Sequence, residues 1–395
     1  MFVLLLSIIY LAFISLGLPD ALLGSAWPII HNDINVPISY AGFISMIIAG
    51  GTIFSSFFSD RIIKKFGTGL VTAISVGMTA FALLGFSVST KFWMLCLFSI
   101  PYGLGAGSVD AALNNFVALH YKARHMSWLH CFWEIGATLG PVIMGQCLVN
   151  GALWSDGYKI VSFLQIGLTA ILILSLPLWK IFRADSSLSK EEHKVLSLKE
   201  LVNLPKAKSA LVGFFCYCAL ESSAGLWGAS YMVLERNIQP EIAAKWISTF
   251  YFGITIGRFL SGFITVKLSS QNMVRLGQII LLCGIVVIVF PFSFLPNFIL
   301  PLGFFLVGLG CAPIYPSMLH STPENFGKDV SQSIMGKQMA SAYVGSTFMP
   351  PVVGFFVDNL TPKLFPVVLL LILVLMFFMT ERLYKFSSKK LNSSK

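Results

Sequence analysis

Four carboxylates, Asp20, Asp110, Glu134 and Glu221, stand inside stretches otherwise apolar enough to cross a bilayer. A charge at the bilayer centre costs roughly 2.5–3.5 kcal/mol on the lenient insertion scale, so four cost about 10–14 kcal/mol. A chain that needed only to sit in lipid would carry Leu there. Their retention implies acids facing a shared polar cavity, where protonation and solute binding offset the expense. A carboxylate partly withdrawn from water can load and release a proton in the physiological range. That supplies a coupling ion without any metal, and all four acids are candidates for carrying it.

Helical spacing places further groups around these acids. Asp110 and Asn114 are four residues apart and stack on one helix face, with Gly103 and Gly107 on the same stripe to permit close packing. His130, Trp133, Glu134 and Ala137 make a second stripe, and Asp20, Leu23, Gly24 and Trp27 a third. Carboxylate, amide, imidazole and indole are what a pyranose needs: partners for its hydroxyls and a flat face for its C–H surface. In the second half of the chain Glu221, Trp227, Tyr231, Tyr315, His320 and Gln338 are the polar or aromatic candidates.

The elements that must position these residues are membrane spans. Of 395 residues 56% are hydrophobic and 11% charged, against about 25% charged in a soluble globular protein. Windows of about 20 apolar residues predict twelve helices. They fall near 5–30, 38–59, 67–88, 92–120, 126–149, 157–182, 209–234, 243–266, 271–293, 296–320, 332–357 and 362–382. The first is read as a retained span, because no basic segment precedes it and no good cleavage site follows. One long polar interruption divides the spans six and six. The expected organisation is a bundle over 1–182, a linker over 183–208 with an amphipathic surface helix, a second bundle over 209–382, and a cytoplasmic tail over 383–395. Pro313, Pro316 and Pro350-Pro351 are expected to kink spans ten and eleven.

The net charge of +10 would point to nucleic acid in a soluble chain, but here the basic residues lie between apolar segments. They read as topology signals, with 21 Lys and Arg on the face that would be cytoplasmic and 5 on the other. Both termini are therefore expected in the cytoplasm. Arg258, at a span edge, is assigned to a cytoplasmic helix end. The seven cysteines fall within apolar segments without metal-site spacing and read as small buried hydrophobes.

The halves repeat. Ile135-Gly136-Ala137-Thr138-Leu139-Gly140-Pro141 parallels Val344-Gly345-Ser346-Thr347-Phe348-Met349-Pro350, Gly103-Leu104-Gly105 parallels Gly308-Leu309-Gly310, and Asp20 with Trp27 parallels Glu221 with Trp227. Two parallel six-helix halves resemble the major facilitator arrangement, which implies a solute site near the midplane. Ser56-Phe57-Phe58-Ser59-Asp60-Arg61-Ile62-Ile63-Lys64-Lys65-Phe66-Gly67, expected as a loop, resembles that superfamily's signature GxxxD[RK]xG[RK][RK], with Ser56 and Ile63 in place of two glycines. The match implies a gating latch of Asp60, Arg61, Lys64 and Lys65.

Gly17-Leu18-Pro19-Asp20 through Trp27-Pro28, and Gly103 through Asp110 to Asn115, are similar to spans one and four of the fucose–galactose–glucose proton symporter family. Leu129-His130 to Gly136-Ala137 resembles its fifth span. The family has an acid in each of spans one and four for sugar binding and proton coupling, and the matching positions are Asp20 and Asp110. Asp110 stands where the family often has Glu, and His130 where it has an amide. The resemblance implies proton-coupled uptake of a hexose-like sugar by alternating access, in a monomer in the plasma membrane, with no cofactor and no nucleic-acid partner. Two rivals are proton-driven efflux of a drug or amphiphile and a membrane solute sensor that does not transport. No phosphate-cradling Gly loop followed by Lys-Ser/Thr is present to drive transport with ATP.

Overall fold

A computed structural model describes residues 2–121, 123–179, 206–265, 267–289 and 299–392. The regular elements among them are all helices. In chain order they are α1 Phe2–Asp20, α2 Leu22–Asp33, α3 Tyr40–Phe66, α4 Thr68–Ser87, α5 Phe92–His120, α6 Ala123–Val149, α7 Trp154–Leu174 and α8 Leu176–Trp179. There follow α9 Ala207–Arg236, α10 Pro240–Trp246, α11 Ser248–Ile264, α12 Ser270–Val289, α13 Ile299–Cys311, α14 Ile314–His320, α15 Thr322–Phe326, α16 Lys328–Asn359 and α17 Leu364–Asn392. Eleven helical stretches among the described residues are long and apolar enough to span a membrane, and Tyr40–Ser56 adds a shorter apolar one. An all-helical answer is the one lipid enforces, since no water is there to satisfy exposed backbone groups.

The chain forms two compact units. The first gathers the described residues of 1–189 with 226–251, and the second those of 190–225 with 252–395. In the first unit α10 packs on α6 and α2, which is why 226–251 belong there. The expected amphipathic helix of the linker lies outside the described residues, except for Lys206 to Lys208 where α9 begins. The last candidate span is Leu364–Lys385, and α17 continues as helix beyond it to Asn392.

Three details depart from the sequence reading. The first span runs as one stretch over Leu4–Asp33 but carries a one-residue turn at Ala21 (φ −92°, ψ −6°) between α1 and α2. Pro19 has no N–H to give the carbonyl of Ser15 one turn earlier. Gln165 of α7 supplies the missing donor, its Nε2 lying 2.5 Å from that carbonyl while Thr79 Oγ1 of α4 donates to its Oε1 at 2.8 Å. The stretch Ser56–Phe66 is not a loop. It is the last turns of α3, free of Gly and Pro, and the reversal is made by Gly67 alone at φ +83°. Of the proline sites, Ala312-Pro313 interrupts the helix between α13 and α14, and Pro350 and Pro351 lie inside α16.

Backbone contact between helices replaces side-chain interdigitation where the glycines fall. A Cβ on Gly136 would sit 2.0 Å from the Ile14 carbonyl oxygen, so α6 and α1 touch main chain to main chain. The repeat shows in the second unit, where a Cβ on Gly345 would meet the Phe215 carbonyl oxygen at 2.4 Å. Gly103 and Gly107 seat α5 on α3 against the carbonyls of Ile48 and Thr52, the close packing that their spacing implied.

Candidate functional site

Asp20 is the last residue of α1, just before the turn at Ala21. It is the sole exposed residue between Ser15 and Pro28, so the carboxylate opens to an accessible surface while the helix around it is buried. Tyr102 of α5, 4% exposed, donates its hydroxyl to Asp20 Oδ1. The half-buried Trp133 of α6 presents its indole N–H within reach of the same carboxylate. The close α1–α6 approach at Gly136 and Gly17 holds that indole there, since a Cβ on Gly17 would strike the Trp133 carbonyl oxygen.

Asp110 lies near enough to act electrostatically on Asp20. Asn114 Nδ2 donates to Asp110 Oδ1 at 2.8 Å, as the i,i+4 spacing anticipated, and both residues are half-buried. Two like charges in a poorly polarisable surrounding repel, so the proton taken up by one carboxylate is felt by the other. Asp20, Asp110, Asn114, Tyr102 and Trp133 therefore form one polar group in the first unit. His130, half-buried, stands edge-on to Phe13 at 6.0 Å between ring centroids.

Other expected site residues are engaged by neighbours of their own. Glu134 is wholly buried, so the stripe on span five divides: Trp133 reaches the accessible carboxylate and Glu134 does not reach an accessible surface. Trp27 is also wholly buried, its indole N–H donating to the Ile38 carbonyl at 2.6 Å. Trp227 is wholly buried too. The Tyr231 hydroxyl accepts from Arg236 Nε at 3.3 Å, close to the end of α9. Gln338, 1% exposed, is engaged through its Oε1 by Thr322 Oγ1 at 3.0 Å. His320 is at an exposed helix end, 3.3 Å from Ser270 Oγ. Of the latch, Lys65 is exposed with its ammonium 5.3 Å from the Phe66 ring centroid, and the side chains of Asp60, Arg61 and Lys64 lie outside the described residues.

The second unit has its own polar group. Glu221 of α9 pairs with Arg258 of α11, Oε1 to Nη2 at 3.8 Å, both side chains about four-fifths buried. Arg258 is thus not a solvated helix-end charge. A cation inside a span needs a partner, and Glu221 is that partner. Tyr217, one turn before Glu221 and 2% exposed, adjoins the pair. Its ring lies 5.7 Å from that of Tyr315, whose hydroxyl donates to Met339 Sδ. Tyr315 is the repeat counterpart of Asp110, so the same position borders an acid's surroundings in each unit.

Sequence reasoning missed Tyr102, Tyr217 and Arg258. Tyr102 is two helical turns before Asp110 and Tyr217 one turn before Glu221, which is the signal available in the spacing. For Arg258 the only signal was a basic residue inside an apolar window.

The Major Facilitator Superfamily profile matches residues 9–336 and 210–393. Among curated proteins the chain is similar to the glucose/mannose transporter GlcP of Bacillus subtilis, 24% identical over 379 residues, covering 89% of this chain and 87% of that one. It is also similar to the cis,cis-muconate transport protein of Acinetobacter baylyi, at 21% identity with 89% and 86% covered. Among solved structures the nucleoside transporter NupG superposes with a TM-score of 0.76 over 96% of this chain and 98% of that one, and at 12% identity this likeness shows the fold alone. With an all-helical multi-span fold and a profile match along most of its length, the chain belongs to the major facilitator superfamily and is a membrane transporter, not an enzyme.

Proposed function

We propose that the chain is a secondary transporter that takes up a hexose-like sugar together with a proton by alternating access, working as a monomer in the plasma membrane with both termini cytoplasmic. The observation that carries this reading is Asp20: a carboxylate exposed within an otherwise buried helix, accepting a hydrogen bond from a phenol, with an indole, a second carboxylate and an amide nearby. Acids whose direct partners are neutral can gain and lose a proton without breaking an ion pair. The hydroxyl acceptors of Asp110 and Asn114 and the half-exposed indole of Trp133 suit a pyranose. The likeness to a glucose/mannose transporter supports the sugar, and the likeness to a muconate transporter shows that relatives on this scaffold take other solutes.

The test is uptake of a panel of labelled monosaccharides into proteoliposomes, with and without an inward acid gradient, by wild type and Asp110→Asn. The variant should retain solute exchange and lose gradient-driven accumulation. Equal accumulation by both would remove Asp110 from the coupling step. Failure of wild type to move any monosaccharide, while it moves an aromatic or dicarboxylic solute, would replace the substrate class.

A further inference from the structure

Among its described residues the second unit holds two Arg–Glu pairs, and they are built differently. Arg275 of α12 grips Glu381 of α17 with two parallel hydrogen bonds, Nε to Oε1 at 2.5 Å and Nη2 to Oε2 at 2.8 Å. That is the two-pronged geometry in which a guanidinium and a carboxylate hold each other best. Arg258 meets Glu221 with one nitrogen 3.8 Å from one oxygen, beyond hydrogen-bond length. The first pair ties two helices together. In the second, the planar fork of the guanidinium is not matched to the carboxylate beside it.

This loose pair is also reachable. Glu221 stands midway along the span Ala207–Arg236, Arg258 lies in Pro240–Ile264, and both side chains keep some exposure. Charges that do so within a span face a watered surface and not lipid. One turn before Glu221, the Tyr217 ring adjoins that of the half-buried Tyr315, to which Phe214 stands edge-on at 5.4 Å. The other titratable groups around the pair are Tyr217 and Cys218 on α9, Cys311 at the end of α13 and Tyr315 on α14. Phenols and thiols carry no charge near neutral pH, so the charge balance here is set by Glu221 and Arg258. Protonation then has a consequence at Glu221 that it lacks at Asp20. It deprives Arg258 of the carboxylate beside it, and a guanidinium cannot shed its own charge. A cation left so within a span is strongly unfavourable. Glu221 therefore takes a proton readily only when another anion reaches Arg258.

We propose that Arg258 is a carboxylate-binding site and that the solute is an acidic sugar, whose carboxylate takes the place of Glu221 when Glu221 is protonated. This rests on the reading of the chain as a proton-coupled sugar carrier and narrows its substrate class. The guanidinium offers the incoming group the two-pronged grip that it does not give Glu221. In the exchange a proton from water bonds to a Glu221 oxygen, Arg258 trades one carboxylate for another, and no bond of the solute is made or broken. One proton and one anion arrive together, so the charge within the span is the same before and after. Each removes the obstacle to the other, which makes their binding cooperative. On release Glu221 gives its proton back to water and pairs again with Arg258, displacing the anion.

The test compares D-glucuronate with D-glucose, which differ only by a carboxylate in place of a hydroxymethyl group. The purified full chain is titrated with each in weakly buffered detergent solution, at mildly acidic and mildly alkaline pH, with calorimetry for affinity and an indicator dye for protons. Wild type should bind D-glucuronate about tenfold or more tightly than D-glucose, better in acid, and at the alkaline pH take up about one proton per glucuronate bound. Glu221→Gln leaves Arg258 permanently open to the anion. It should bind glucuronate equally at both pH values, about tenfold above wild type at the alkaline one, with no proton taken up. Arg258→Met should lose the preference for glucuronate, and Arg258→Lys, which keeps the charge without the fork, should retain part of it. Arg275→Met with Glu381→Gln should leave the preference as it is, which separates recognition from the mere loss of a cation. Should Glu221→Gln fail to fold, proton uptake by wild type decides. Equal affinity of wild type for the two sugars, or glucuronate bound without proton uptake, would overturn the proposal and leave the sugar reading in place. Arg258-dependent binding of benzoate by a chain that binds neither sugar would keep the carboxylate site and remove the sugar.

Discussion

Replacing Arg258 by Met and Glu221 by Gln, singly and together, examines the ion pair of the second unit. At 3.8 Å two unit charges attract by about 4 kcal/mol with an effective dielectric constant of 20. Taking one partner from a buried pair costs about 3–5 kcal/mol, because the survivor is left as an uncompensated charge. Side-chain exposures of 18% and 22% let some water reach the orphan and draw the cost toward the low end, to roughly 3 kcal/mol for either single change. Removing both charges leaves no orphan, since Met and Gln are close in volume to the residues they replace. The double variant should therefore be less damaged than the sum of the singles, with a coupling energy of about 2–3 kcal/mol. Reversible unfolding in SDS, followed by tryptophan fluorescence in the four proteins, measures the cycle. Uptake assays on the same preparations ask whether the double variant, charge-balanced, regains the accumulation that the singles lose. Additivity of the two changes within about 0.5 kcal/mol would refute the pairing. A double variant that is stable yet exchanges without accumulating would assign the coupling proton to Glu221 instead.

Three other outcomes follow from the packing. Gln165→Leu strips the Ser15 carbonyl of its donor and should cost roughly 1–3 kcal/mol, and adding Pro19→Ala, which restores a main-chain N–H at 19, should recover much of it; no recovery in SDS unfolding would mean that Gln165 acts otherwise. Gly136→Ala places a methyl where the Ile14 carbonyl oxygen stands, so α1 and α6 must part at a cost of about 1–3 kcal/mol with Trp133 drawn from Asp20, seen as lower stability together with weaker solute affinity. Trp27→Phe removes the indole bond to Ile38 and should lower stability by about 1 kcal/mol while leaving the apparent KM for solute unchanged; a large rise in KM would return Trp27 to the site.

The sequence by itself determined that the chain crosses a membrane repeatedly as helices, because each span must satisfy its backbone internally and bury a run of apolar side chains, and both demands are local. It also placed Asp110 beside Asn114, since an i,i+4 relation survives in any helix, and it marked Gly103 and Gly107 as points of close approach. Only the tertiary structure decided which face of each span is wet. Trp27 and Glu134 share stripes with Asp20 and Trp133 in the sequence, yet the packing of neighbouring helices buries the first pair and leaves the second accessible. Nor does helical spacing reveal partners on other helices: Tyr102 on Asp20, Arg258 on Glu221 and Gln165 on the Ser15 carbonyl meet across 82, 37 and 150 residues of chain. Those contacts depend on how helices rotate and tilt against one another, which is fixed by the sum of many packing interactions and not by any residue's immediate neighbours.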